Sequence, residues 1–337
     1  MAPLAPNALV VVTGITGYIA SHTGLAALKA GYRVRGTVRS LSKAEELRKA
    51  YEKEGADVSA EKLEFVVLDD LMNADKFETV FAGVDGVIHL ALPDPTDGDY
   101  VQNTIASVLV PLKAANKVGI KNFVLTGTSF AVVTPGNAPT ALITNKDWNE
   151  TSRQQYESAK EENKQGMLSH FVLYAVGKQL AEKAAWTYVE QEKPSFDLTV
   201  ILPDVNWGPL LYGKEALTPS WITNLLRGDG SGLFLPALTE WYIDVRDCAK
   251  LHVLSLAGGA LTGQRVWAAA GPFGWNQVLA ILRKNFPAVA DKIPGDVAAS
   301  PLEPCPWKID NAPATKALGG WIGLEKSVVE TARSVGF

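Results

Sequence analysis

Short apolar runs alternate with helical stretches along the first two thirds of the chain. The first run, residues 8–12, is apolar throughout and rich in β-branched side chains, which is typical of a strand buried on both faces of a parallel sheet. Further strands are predicted at residues 32–38, 63–68, 86–92, 122–126 and 196–203, and helices at residues 18–30, 43–53, 77–81, 108–116 and 171–191. Because the links between them are short, this alternation predicts an α/β fold built on a doubly wound parallel sheet.

The alternation weakens in two segments. Residues 135–165 are polar without a clear period, which indicates a long surface excursion, and residues 207–240 are rich in Trp, Leu, Gly and Pro. Beyond them we predict strands at residues 242–245 and 265–269 and helices at residues 249–256, 275–286 and 324–334. The predicted organisation is a larger lobe of residues 1–206 with about 241–270, and a smaller C-terminal lobe of about 207–240 and 271–337. The smaller lobe should cover the carboxyl edge of the sheet, where open α/β sheets bind ligands.

Composition narrows the class of protein. The 337 residues are 47% hydrophobic and 20% charged, which excludes disordered, collagen-like and coiled-coil chains. A net charge of −4 argues against a nucleic-acid partner, since neutralising phosphates requires a basic surface. Two Cys and four His without metal-ligand spacing argue against a zinc site and favour a reducing compartment. The short N-terminal apolar run predicts neither a signal peptide nor a membrane span, so we expect a soluble cytoplasmic protein without a membrane partner.

A glycine-containing turn follows the first predicted strand and opens the first helix. Its pattern is Gly14-x-x-Gly17-x-x-Ala20, in which the first Gly permits the tight turn and the second lets the backbone approach a pyrophosphate. The free N–H groups and the dipole of a helix N-terminus favour such an anion. At the start of a βαβ series the pattern predicts a dinucleotide site, with contacts from Gly14, Thr16, Gly17, Tyr18 and Ile19.

The end of the second strand indicates which dinucleotide binds. An NAD site carries an acidic residue about 20 residues after the turn, where it accepts a hydrogen bond from the ribose 2′-OH. Here Arg39 stands 22 residues after Gly17, and Lys43 follows it. A guanidinium and an ammonium suit a 2′-phosphate, whereas the alternative, a solvated basic patch at a helix N-terminus, is disfavoured by the helix dipole. We therefore expect NADPH/NADP+ rather than NAD(H).

The third and fourth strands end in residues that suit the rest of this ligand. Asp70 could accept from the adenine amino group with Leu71 against the ring, or equally act as the N-cap of the next helix. Ala91 leaves room for a cofactor. His89 is interpreted as a hydrogen-bonded structural histidine rather than a catalyst.

Tyr174 and Lys178 stand one helical turn apart, on one face of the helix predicted at 171–191. Tyr156 and Lys160 have the same spacing, but they lie among charges, so we expect Tyr156 to be solvated. The apolar and small neighbours of Tyr174 favour the first pair.

This pair suits the reduction of a carbonyl group, which leaves an alkoxide that must be protonated. A free phenol has a pKa of about 10, and we expect the Lys178 ammonium, with the positive ring of an oxidised nicotinamide, to lower that of Tyr174. The segment 126–129, Thr-Gly-Thr-Ser, offers a hydroxyl that could donate to the carbonyl oxygen, although it could equally be an ordinary Ser/Thr turn.

Together these motifs resemble the extended short-chain dehydrogenases/reductases. More narrowly, residues 34–40, 123–126, 174–182 and 202–208 resemble fungal NADPH-dependent aldehyde and ketone reductases, relatives of yeast methylglyoxal reductase and dihydroflavonol reductase. The resemblance implies a Rossmann-type fold and a Ser/Thr–Tyr–Lys triad in which Thr128 holds the Ser position, with Ser129 as the fallback. It also implies nicotinamide contacts at Pro203 and Val205. Gly127 departs from the usual Ser, which should free the local backbone.

The expected function is NADPH-dependent reduction of a small-molecule carbonyl substrate to an alcohol, by a monomer or homodimer. Apolar residues near the site predict the substrate pocket, namely Leu92, Pro93, Phe130, Trp207 and the run 233–238. The alternatives are a nucleotide-sugar epimerase or dehydratase of the same fold, which should need a diphosphate pocket, and a non-catalytic NADP(H)-sensing regulator.

Overall fold

A parallel sheet forms the centre of the protein. A computed structural model describes residues 4–94, 98–134, 142–159, 170–230, 240–297 and 308–337. The strands are β1 (Leu9–Thr13), β2 (Arg33–Val38), β3 (Leu63–Val67), β4 (Gly86–His89), β5 (Asn122–Thr126), β6 (Leu142–Ile143), β7 (Asp197–Pro203), β8 (Val205–Trp207), β9 (Glu240–Asp244), β10 (Arg265–Ala268), β11 (Gly271–Phe273) and β12 (Lys308–Ile309). Seven of them pair in the order β10-β7-β5-β4-β1-β2-β3, all parallel. The predicted doubly wound α/β fold is confirmed.

Helices cover both faces of this sheet. They are α1 (Tyr18–Lys29), α2 (Ser42–Lys53), α3 (Ala74–Phe81), α4 (Tyr100–Val118), α5 (Glu150–Ser158), α6 (His170–Glu192), α7 (Leu217–Leu226), α8 (Val245–Leu256), α9 (Trp275–Asn285), α10 (Ala312–Leu318) and α11 (Leu324–Ser334). α4 and α6 pack on one face, and α1 and α8 on the other. Every residue of β1 is buried because the strand lies between these two layers.

A three-stranded sheet, in the order β11-β9-β8, begins directly after β7. α7, α9 and α11 pack on it around an apolar cluster that includes Trp207, Phe273 and Leu279. Strand pairing therefore assigns residues 240–244 to this sheet, whereas the predicted boundary grouped most of them with the larger lobe. α8 and β10 do pack with the large sheet, as expected. The division into two lobes remains a prediction.

The described parts of the two irregular segments contain elements that periodicity did not predict. The surface excursion at 135–165 includes α5, which begins where the Asn149 side chain accepts from the Ser152 N–H at 3.0 Å. Strand β6 in the same segment pairs with β12. The segment at 207–240 includes α7, and the predicted pocket run 233–238 lies outside the described residues. Within the described ranges, no helix is long and apolar enough to cross a bilayer, and no acidic, His or Cys cluster could hold a metal ion.

Candidate active site

The glycine turn lies between the carboxyl end of β1 and the first residue of α1. Gly14 has φ +61°, which only glycine adopts without strain, and a Cβ there would stand 3.3 Å from Ala91. Gly17 precedes the helix and supplies no side-chain cap, and the first turn holds no acidic residue. The N–H groups of Tyr18 and Ile19 thus begin a helix whose positive end is open to an anion.

Three of the residues that are predicted to contact the dinucleotide line one cavity beside this turn. Thr16, Tyr18 and Lys43 line a space of about 350 Å³, together with residues 210–216. The Tyr212 hydroxyl donates to the Thr16 carbonyl, so the segment after β8 is tied to the turn. The structure therefore brings these three residues together.

Arg39 and Lys43 lie at the end of β2 and the start of α2, and both are exposed. Within the described chain, neither belongs to any of the ion pairs. Two cations without a carboxylate partner, at the carboxyl edge of the sheet, suit an external phosphate. The residues present fit a 2′-phosphorylated dinucleotide, with the pyrophosphate at the glycine turn.

Asp70 does not cap the next helix. Asn73 caps α3 by accepting from the Lys76 N–H at 3.0 Å, while Asp70 accepts from the Met72 N–H at 2.8 Å. The capping alternative is therefore wrong, and the adenine contact of Asp70 and Leu71 stays a prediction. His89 is buried with its Nδ1 3.0 Å from the Thr13 hydroxyl, and burial lowers its pKa to about 3. This confirms its structural role.

Tyr174 and Lys178 lie on one face of α6, as the spacing predicted. Lys178 is 5% exposed, and its ammonium donates to the Thr126 carbonyl at 2.6 Å. Burial lowers the pKa of Lys178 to about 8, and the carboxylate of Glu182 on the next helical turn partly opposes that change. The ammonium is thus desolvated and held against the end of β5.

In the protein without its cofactor, the pKa of Tyr174 is not lowered. Burial raises the pKa of Tyr174 to about 12, an interaction with the Thr128 side chain opposes that increase, and Tyr100 adds to it. Lys178 is not among the causes of this increase, since its ammonium is directed to a main-chain carbonyl. The lowering of the Tyr174 pKa by Lys178 together with an oxidised nicotinamide ring stays a prediction. Tyr174 is therefore protonated in the protein without its cofactor.

Thr128 and Ser129 turn in different directions. The Thr128 oxygen accepts from the Phe130 N–H at 3.4 Å, which leaves its own proton for another acceptor, and its side chain meets Tyr174. Ser129 begins a 3₁₀ turn and faces Asp204. Of the two predicted hydroxyls, Thr128 is therefore the one beside the phenol.

Gly127 does not loosen the segment, contrary to expectation. Its N–H donates to the Ile201 carbonyl at 2.7 Å, and a Cβ there would stand 2.9 Å from both Val200 and Leu202. A Cβ here would require the Val200 and Leu202 side chains to shift, and the main-chain hydrogen bond ties Gly127 to β7 one residue before Thr128.

The predicted pocket residues divide into two groups. Phe130 is partly buried, with its ring centroid 6.1 Å from that of Tyr174, and Leu92 and Pro93 are partly exposed after β4. Trp207 is 0% exposed, packs against Phe273 at 4.6 Å between centroids, and so offers no surface to a ligand. Trp207 is corrected to a core residue, since its β8 strand turns it into the apolar cluster of the smaller sheet.

Comparisons with known proteins agree with this geometry. The model of the NAD dependent epimerase/dehydratase family matches residues 10–267. The chain belongs to this family. Aldehyde reductase 2 of Sporidiobolus salmonicolor is 31% identical over 339 residues, covering 97% of this chain and 96% of the relative. Ketoreductase AdrE of Penicillium roqueforti is 33% identical over 343 residues, covering 96% of each.

A solved structure shows the same likeness for this epimerase/dehydratase family member. Yeast methylglyoxal/isovaleraldehyde reductase Gre2, crystallised with NADPH, has a TM-score of 0.78 at 26% identity, covering 97% of this chain and 98% of the other. The predicted resemblance to extended short-chain dehydrogenases/reductases is confirmed.

Several features of this family member were not predicted from its sequence. Tyr156 is only partly solvated, because it packs against the apolar cluster that includes Tyr100 and Leu173, while Lys160 lies outside the described residues. Arg265 forms a buried ion pair at 2.6 Å with Glu182, which stands one helical turn after Lys178 on α6. Spacing carried no signal for this pair, since its members are 83 residues apart.

Proposed function

We propose that this chain is an NADPH-dependent carbonyl reductase, which transfers a hydride to an aldehyde or ketone and forms an alcohol. The observation that carries the proposal is the convergence of Tyr174, Lys178 and Thr128 at the carboxyl edge of the sheet, beside an open glycine turn. The activities named for aldehyde reductase 2, ketoreductase AdrE and yeast Gre2 support the same class of reaction.

The cofactor supplies the hydride when it is bound at this edge. Its 2′-phosphate is assigned to Arg39 and Lys43, and its pyrophosphate to the N–H groups at the start of α1. Asp70 and Leu71 are assigned to the adenine. The backbone of Pro203 and Val205, where β7 passes into β8, is assigned to the nicotinamide amide.

The side chains of the triad divide the remaining work. The Thr128 hydroxyl donates to the substrate oxygen and stabilises the negative charge that develops on it. Tyr174, protonated because burial raises its pKa, donates its proton to that oxygen. The Lys178 ammonium stabilises the phenolate that remains, and the nicotinamide ribose is assigned to it.

The test is NADPH consumption, followed by absorbance, with a panel of aldehydes, diketones and aryl ketones and with NADH in parallel. We expect turnover of several members with NADPH and much slower turnover with NADH. Tight NADPH binding without consumption across the panel would support the sensing regulator instead.

Conversion of a nucleotide sugar would support the epimerase alternative. The described part of residues 207–245 offers little for a diphosphate. Lys214 is exposed beside the glycine turn, and the Arg227 guanidinium lies over the Phe337 ring at 5.9 Å.

A further inference from the structure

Two carboxyl groups are buried together where the small sheet leaves the large one. Asp204 lies between β7 and β8, Glu240 begins β9, and the residues are 6% and 7% exposed. Because β8 and β9 are parallel neighbours with Val205 opposite Tyr242, the register brings residue 204 next to the start of β9. Among the described residues, neither Oδ2 of Asp204 nor Oε1 of Glu240 has a hydrogen-bond partner.

The groups that face this pair in the described structure are neutral. They are the Ser129 hydroxyl, the N–H of Val205, which donates to Asp204 Oδ1 at 2.9 Å, and the N–H of Trp241. No described Lys, Arg or His forms an ion pair with either carboxyl group. Two carboxylates in such surroundings cannot both stay ionised.

The direction of the pKa changes agrees with this geometry. Burial raises the pKa of Asp204 to about 7, and burial together with the Asp204 charge raises that of Glu240 well above its usual range. The side chains interact directly, so they titrate as a pair.

The pair stands directly behind the candidate triad. Asp204 interacts with Ser129, which is 2% exposed and adjoins Thr128 in the chain. Thr128 in turn meets the Tyr174 hydroxyl. The carboxyl pair is therefore connected to the proton donor through the Ser129 side chain, the main chain that joins Ser129 to Thr128, and the Thr128 side chain.

We propose that Asp204 and Glu240 share one proton and that this acid pair positions Ser129, which in turn holds Thr128 against Tyr174. The shared proton joins the two oxygens that lack partners, and Ser129 with the two N–H groups stabilises the single remaining charge. Both acids are positioning residues. Their catalytic effect rests on the carbonyl-reductase function proposed above.

The first test measures unfolding and requires no turnover. Above the pKa of an unfolded carboxyl group, about 4, the folded protein keeps a proton that the unfolded chain loses, so stability falls as pH rises towards the pKa of the pair. Glu240→Gln retains one charge and replaces the shared proton with an amide proton, so it should lack this fall. The ratio of the unfolding equilibrium constant of the unchanged protein to that of Glu240→Gln should therefore increase by up to about tenfold per pH unit.

Denaturant titrations at a series of pH values give this ratio. Glu52→Gln is the matched control and should follow the unchanged protein, since Glu52 is exposed on α2 and outside the ion pairs of the described residues. Parallel pH dependences for the unchanged protein and Glu240→Gln would overturn proton sharing.

The second test measures turnover. Asp204→Ala removes the partner of Ser129, and we expect kcat to fall by about tenfold or more, a larger change than any in the Kd for NADPH. Asp204→Asn should restore kcat, since its amide can accept from Ser129 and Val205 and donate to Glu240. In a Ser129→Ala background, Asp204→Ala should add little further loss, because the two act in series.

Independent losses in that double-mutant cycle, or an Asp204→Asn variant as slow as Asp204→Ala, would overturn the positioning role. Lack of carbonyl turnover by the unchanged protein would count against the proposed function, whereas the unfolding test would still decide whether the proton is shared.

Discussion

The ammonium group of Lys178 donates a 2.6 Å hydrogen bond to the main-chain carbonyl of Thr126, the last residue of β5. This bond joins α6 to the sheet two residues before Thr128. The Thr126 hydroxyl lies 2.8 Å from Nε2 of His252, which is buried on α8. The strand therefore determines where the cation lies, and no carboxylate of the described residues forms an ion pair with it.

Tyr174→Phe should lower kcat for carbonyl reduction by at least about a hundredfold, because it removes the proton donor and leaves the ring packing intact. NADPH binding, followed by fluorescence titration, should be nearly unchanged. Tyr156→Phe is the matched control, since it makes the same change at the other Tyr with this spacing. Near-normal turnover by Tyr174→Phe would remove the assignment.

The pH dependence should report on Lys178. Burial lowers its pKa to about 8, so the ammonium is present below that pH and lost above it. We expect kcat/KM for NADPH, which reports on the free enzyme, to fall as pH rises through about 8. Lys178→Arg keeps a charge throughout, and its profile should lack this fall. Persistence of the same fall in Lys178→Arg would assign it to another group.

Arg39→Ala should weaken NADPH by about tenfold or more, because it removes a charged contact to the 2′-phosphate. The Kd for NADH should change little. Arg33→Ala serves as the control, since Arg33 begins the same strand and donates to the Asn7 carbonyl at 3.0 Å. Equal losses for the two dinucleotides would refute the role of Arg39.

Gly14→Ala should both destabilise the fold and weaken NADPH. The left-handed backbone costs about 1–2 kcal/mol for an L-residue, and the new Cβ would stand 3.3 Å from Ala91 at the cofactor edge. Gly31→Ala imposes a similar strain at φ +90° with no heavy atom within 4 Å. Thermal unfolding should detect both variants, and dinucleotide titration only Gly14→Ala.

Trp207→Ala should act on stability rather than on substrate choice. Removing a fully buried indole costs about 3–5 kcal/mol, so denaturant unfolding should show a large loss. Phe130→Ala, beside Tyr174, should instead change KM across the carbonyl panel. A Trp207→Ala variant of normal stability with altered substrate preference would return Trp207 to the pocket.

Periodicity predicted most of the larger lobe because its strands are buried on both faces. The bounds of β5 match the prediction, and β1 and β2 differ from it by one residue. Periodicity did not predict α5, a nine-residue polar helix. Only Ser152 of this helix is buried, so too little of it faces the core to give an apolar pattern. β8 was missed because three residues carry no measurable period.

Spacing identified the Tyr–Lys pair but not its electrostatics. Tyr174 and Tyr156 have the same spacing to a lysine, and both prove to be partly buried in one cluster. Tyr174 differs from Tyr156 in its contact with Thr128, which lies just after strand β5. The increase in its pKa comes from packing, which spacing does not describe.

The sequence by itself determined the parallel sheet, the glycine turn and the helical face that carries Tyr174 and Lys178, because each is marked by residues that are close together in the chain. Tertiary structure alone decided that Thr128 rather than Ser129 meets the phenol, that Trp207 is core, and that Asp204 and Glu240 are buried together. Those outcomes depend on contacts between segments distant in the chain, where burial changes both the neighbours and the charge of a group.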